Sequence, residues 1–101
     1  MNSSTYYPKI QKIADTYGYD AQSRQCIEEM AELTVAINKA WRKRYDDFEK
    51  RTKDFENIRE EICDVEIMLE QIKYLLQISD TDINEIIEQK LDRQLERIES
   101  E

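Results

Sequence analysis

Two short stretches hold the residues with the clearest chemical potential. Glu60-Glu61-Ile62-Cys63-Asp64-Val65 reads acid, acid, apolar, small, acid, apolar, and Glu28-Glu29-Met30-Ala31-Glu32-Leu33 repeats the pattern. Successive helical residues turn by about 100°, so Glu61 and Asp64 stand about 60° apart. They flank an apolar stripe through Ile58, Ile62, Val65 and Leu69. Glu29 and Glu32 stand the same way beside Cys26, Met30, Leu33 and Ile37. Packing one stripe against the other gathers four carboxylates at the edge of a seam. Carboxylates brought together repel. A divalent cation among them reverses the sign, because hard cations take oxygen ligands. The competing reading is that each pair is solvated surface, as charged helix flanks usually are.

The elements that must position these acids follow from periodicity and punctuation. A first helix is predicted over Tyr6–Tyr17, with Ile10, Ile13, Ala14 and Tyr17 on its apolar face and Pro8 tolerable in its first turn. Gly18 is predicted to end it, and Asp20 to cap a second helix over about Ala21–Arg44. The stripe Cys26, Met30, Leu33, Ile37 and Trp41 is its expected buried face. For the two acid motifs to meet level in an antiparallel hairpin, the turn must fall near their midpoint, around Asp46-Asp47. A loop is therefore expected within 45–54. Lys43, Arg44, Lys50, Arg51 and Lys53 are then either a solvated surface or a phosphate-facing rim. A third helix is predicted from near Phe55 to about Ile78, with Ile58, Ile62, Val65, Leu69, Ile72 and Leu76 buried. Ser79-Asp80-Thr81-Asp82 breaks it, and Asp82 with Glu85 fits an acidic capping box. The last helix, to about Ile98, is expected to turn Ile83, Ile87, Leu91, Leu95 and Ile98 inward. Lys90, Arg93 and Arg97 share one flank of it, opposite Asp92, Glu96 and Glu99. The fold class is thus all-α, an antiparallel bundle of about four helices in a single domain over 1–101.

Composition narrows the chemistry. The chain has 101 residues, one Gly, one Pro and no His. The lack of His excludes the usual zinc sites and His-based acid–base catalysis. Cys26 and Cys63 fall on apolar helix positions without a CxxC spacing, and read as reduced core residues. A net charge of −8 argues against a broad basic face for polymeric nucleic acid. It leaves room for a small phosphorylated ligand carried by a metal. No apolar run is long enough to span a membrane, and the segment from Met1 to Pro8 has no basic and apolar signal region. A cytoplasmic protein is expected.

The ExxE at Glu29 and Glu32, followed after a gap by ExxD at Glu61 and Asp64, resembles the MazG-type all-α nucleoside triphosphate pyrophosphohydrolases. The contexts Glu-Glu-x-x-Glu-Leu and Glu-Glu-Ile-x-Asp-Val carry the likeness. It extends from about Tyr17, through Ala36-Ile37-Asn38-Lys39, to the run from Lys90 to Arg97. The resemblance implies that Glu29, Glu32, Glu61 and Asp64 bind magnesium, with manganese as the alternative ion. It implies cleavage of a nucleoside triphosphate between the α and β phosphates, and assembly as a homodimer or homotetramer. Many members carry a Lys, then an Asn, then a Lys-Tyr pair in the last helix. This chain keeps Lys90 but continues with Arg93, Gln94 and Arg97 and has no Tyr there.

Within that reading Glu28 and Glu60, one turn before Glu32 and Asp64, are the candidate catalytic bases; otherwise they are exposed acids. Lys90, Arg93 and Arg97 are candidates to neutralise leaving pyrophosphate, or are solvated charges. Lys39 and Asn38 are further candidate substrate contacts. Trp41 either stacks on a base or packs in the core. The rival reading is a non-enzymatic helical interaction module. The predicted stripes do not hold a strict heptad alternation, which disfavours a simple coiled coil. A third reading keeps the fold and metal but takes another phosphorylated substrate.

Overall fold

The computed structural model describes residues 5–101. The stretch before Thr5, part of the segment searched for a signal region, lies outside the described residues. Among the described residues there are three helices and no strand: α1 (Tyr7–Arg42), α2 (Phe48–Leu75) and α3 (Asp80–Ser100). The all-α class holds; three helices are delimited where about four are expected, and the first of them is two helical segments joined at Gly18.

The difference lies at Gly18. Its φ of 82° and ψ of 172° are non-helical, yet α1 continues across it. Only glycine adopts this backbone region without strain. Gly18 therefore interrupts the helical backbone where the sequence predicts the first helix to end, but the next helical segment follows at once, with no loop between them. Asp20 is inside α1 and caps nothing; its carbonyl accepts a bond from Ser23 Oγ at 3.1 Å. Pro8 does sit in the first turn, where its missing N–H has no partner to lose.

The hairpin turn spans 43–47, at the predicted midpoint. Asp47 closes it, accepting from the Lys50 backbone N–H at 3.1 Å as N-cap of α2. That cap starts α2 at Phe48, well before the expected Phe55. At its far end α2 closes in a Schellman motif. The Ile78 N–H donates to the Lys73 carbonyl at 2.8 Å and the Gln77 N–H to Tyr74 at 3.1 Å. Gln77 takes the left-handed conformation this requires, with φ 59°. Ser79, not Asp82, then caps α3, accepting from the Asp82 N–H at 3.1 Å.

The α1–α2 seam keeps Cys26, Leu33, Ile58, Val65 and Ile72 from the predicted stripes and replaces the rest. On α1 the covered positions are Gln22, Cys26, Glu29, Leu33, Ala36 and Ala40. On α2, Asp54, Ile58, Glu61, Val65, Met68, Ile72 and Leu75 are covered in the same rhythm, and Glu70 and Gln71 are buried besides. Both sets alternate spacings of three and four, the rhythm of two helices packed along their length. Met30, Ile37, Ile62, Leu69, Leu76 and Trp41, all expected inside, are exposed. Cys63 is exposed too, whereas Cys26 is buried as expected. Register is set by a polar pair. Gln71 is 1% exposed, accepts from Gln22 Nε2 at 2.8 Å, and donates to Met68 Sδ at 3.6 Å. Beyond the kink, Tyr74 donates to both Asp15 carboxylate oxygens at 2.9 Å and meets Tyr7 edge to face.

Among the described residues, α3 packs along neither α1 nor α2. None of its residues is buried, and of its expected inward stripe only Ile83 is partly covered. Its start is tied down by Lys73, which bridges Glu70 and Asp80. Burial alone would lower the Lys73 pKa, but the bonds to Glu70 and Asp80 carry it above the usual lysine value.

Candidate metal centre

The seam explains where each acid points. Glu29 and Glu61 are seam residues themselves, not flank residues as the predicted stripes had them. Each occupies a packing layer that Leu, Ile or Val would fill with more stability. Glu32 and Asp64 precede the seam residues Leu33 and Val65. In an antiparallel pair, related by a near two-fold axis, positions preceding the seam fall on one common face. Glu28, Glu32, Glu60 and Asp64 therefore share a face of the hairpin.

Carboxylate oxygens of Glu29, Glu32 and Glu61 lie within 4.8 Å of one another. Glu29 and Glu61 are half-buried, and each has one shielded oxygen, Oε2, with no hydrogen-bond partner. The other Glu29 oxygen accepts from Gln25 Nε2 at 2.8 Å. None of the ion pairs among the described residues involves these three acids. The neighbouring charge of Glu29, then that of Glu61, raises the Glu32 pKa; desolvation, a hydrogen bond with Glu29 and the charge of Asp64 add to it. An acid cluster with shielded, unpartnered oxygens is a donor set that a hard divalent cation could take. Asp64 is near enough to act on Glu32 electrostatically but outside the group of converging oxygens.

The other candidates divide. A cavity of about 290 Å³ opens beside Glu32 and Glu61, lined also by Ala31, Val35, Ala36, Lys39 and Asn57. Lys39 is thus the predicted substrate contact that stands next to the acids. Asn57 was missed, because its segment reads as a charged approach to a helix; its place one residue before the seam residue Ile58 is the signal. Asn38 is exposed and does not line the cavity. Glu28 and Glu60 are exposed on the acid face. Lys90, Arg93 and Arg97 are exposed on α3, which does not bring them against the hairpin of its own chain. Trp41 is neither core nor free, because the Arg44 guanidinium lies 3.7 Å from its ring centre. Burial pushes the Cys26 thiol up, away from the reactive thiolate.

No family model, curated protein or solved structure matches this chain.

Proposed function

We propose that the protein is a cytoplasmic, magnesium-dependent nucleotide pyrophosphohydrolase that converts nucleoside triphosphates to monophosphates and pyrophosphate. One observation carries the reading: half-buried Glu29 and Glu61 sit in the helix seam, their oxygens converging with those of Glu32. Stability alone gives no reason to place carboxylates there. The MazG-type spacing of these acids adds the substrate class.

Glu29, Glu32 and Glu61 hold the ion, magnesium or in its place manganese, with Asp64 beside them. When bound, it supplies charge neutralisation and orientation of the phosphates. Glu28 or Glu60 takes the proton from the attacking water. A water oxygen–Pα bond forms as the bond from Pα to the bridging oxygen breaks, and pyrophosphate leaves with that oxygen. Lys39 meets phosphate oxygens from the adjoining cavity. Lys90, Arg93 and Arg97 face substrate only if α3 comes from another copy or swings against the hairpin. The unpartnered apolar stripe of α3 supports such an assembly, as a homodimer or homotetramer.

The test is a panel of ordinary and modified triphosphates with magnesium. Release of pyrophosphate with monophosphate supports the reading. Release of orthophosphate with diphosphate, or no turnover across the panel, contradicts it.

A second reading has its own observation. The seam alternates three and four after all, and much apolar surface stays exposed, which suits a helical interaction module. A magnesium-dependent rise in melting temperature favours the enzyme; its absence favours the module.

A further inference from the structure

The hairpin tip is chemically unlike the rest of the chain. Residues 39–54 hold seven basic side chains and four acidic ones, within a chain of net charge −8. Two of those acids are engaged: Asp47 caps α2, and Asp54 pairs with Lys43 at 3.7 Å. Aromatic rings project among the cations. Trp41 is 61% exposed, Tyr45 89% and Phe48 79%. Arg44 lies over both Trp41 and Tyr45, with its guanidinium 3.7 Å and 4.8 Å from the ring centres. Nothing in the hairpin's own packing asks for these rings to be presented outward.

The shape of the tip selects among anionic partners. It is the end of the α1–α2 hairpin, where a cavity of about 60 Å³ lies near Arg44 and Arg51. A nucleic-acid strand needs a groove to follow and would run beside the acidic body. A planar surface met end-on touches the tip alone. Arg42 follows Glu32 by ten residues, about 15 Å along the helix. That exceeds the Debye length of about 8 Å at physiological salt, so the acid cluster is screened from the contact. Trp, Tyr and Phe interleaved with Lys and Arg suit the boundary between lipid headgroups and acyl chains.

We propose that the 41–53 tip adsorbs to anionic lipid surfaces, seating Trp41, Tyr45 and Phe48 at the headgroup boundary while Arg42, Lys50, Arg51 and Lys53 meet lipid phosphates. This is peripheral contact. It needs no spanning helix, and none among the described residues is long and apolar enough to be one. It is independent of the metal centre.

Trp41 is the sole tryptophan and reports directly on the tip. The full chain is mixed with phosphatidylcholine vesicles with and without phosphatidylserine. Co-sedimentation and a blue shift of Trp41 emission are expected only with phosphatidylserine, and both should fade as salt rises. The exposed double variant Lys50→Ala/Lys53→Ala should keep its helical circular dichroism and lose partitioning by about 25-fold, at about fivefold per charge. Phe48→Ser should reduce binding and the blue shift without changing the salt dependence. No binding to phosphatidylserine vesicles at low salt overturns the proposal. So does equal binding by the Lys50→Ala/Lys53→Ala variant, or a preference for a single-stranded oligonucleotide over the vesicles.

Discussion

At the scale of single residues, Glu32 records the tension in the acid cluster. Glu29 and Glu61 hold its pKa above the usual glutamate value. An acid whose folded pKa is raised binds its proton more tightly in the folded state. Its repulsion is absent below the unfolded pKa, about 4.3, and sets in as pH rises through the folded value. Metal-free protein should therefore lose stability over that interval, and Glu32→Gln should flatten the loss. Urea titrations of parent and variant across that range, in chelator, check this; identical slopes would contradict it. The types and spacing of these acids were legible in the sequence. Their place in the seam was not, because a carboxylate at a packing position violates the pattern by which packing positions are recognised.

Helices and their junctions give two predictions at the scale of elements. Gly18 and Gln77 both have positive φ, but only Gly18 suits it. A Cβ at Gly18 would meet nothing within 4 Å, so Gly18→Ala should destabilise through backbone strain alone, by about 1 kcal/mol or more. Gln77→Gly should stabilise by up to about 1 kcal/mol. Thermal or urea unfolding measures both, and shifts of the same sign would refute the account. The buried Gln22–Gln71 bond sets the second prediction. Gln71→Ala leaves Gln22 without its partner and should cost about 1–3 kcal/mol, whereas Gln22→Leu with Gln71→Leu should be near neutral. A double variant as unstable as the single one would show that the pair does more than satisfy itself. The hairpin turn was readable because the acid motifs had to meet, and the Ser79 region because breakers cluster there. The start of α2 was misjudged because Asp47 caps a stretch too charged to show an apolar period. Gly18 was legible as a break in the helical backbone, but the sequence did not show that the two segments would run on with no loop between them.

For the whole molecule, the seam divides the hairpin into two faces. Positions preceding the seam carry Glu28, Glu32, Glu60 and Asp64. Short of the tip, positions following it carry Met30, Ile37, Phe55, Ile62, Leu69 and Leu76, all exposed. The apolar arc read from the sequence is real but wider than one neighbour covers, so the sequence could not say which part faces inward. Exposed apolar side chains along one face suit a partner there, and a partner on that face would leave the acid face open. Light scattering at micromolar concentration should give a multiple of the 12.2 kDa chain mass. A monomer mass would contradict the assembly, though not the acid cluster.

Calorimetric titration of magnesium tests most directly whether the gathered carboxylates hold a divalent cation. Glu61→Gln keeps the side-chain shape and removes a charged ligand. The variant should lose magnesium affinity and turnover while equalling or exceeding the parent in stability without metal. Glu29→Gln and Glu32→Gln should behave alike, and Asp64→Asn should weaken binding less, because its oxygens lie outside the converging group. If the parent takes up no magnesium, or if all four variants bind it as the parent does, there is no metal centre and the hydrolase reading falls with it.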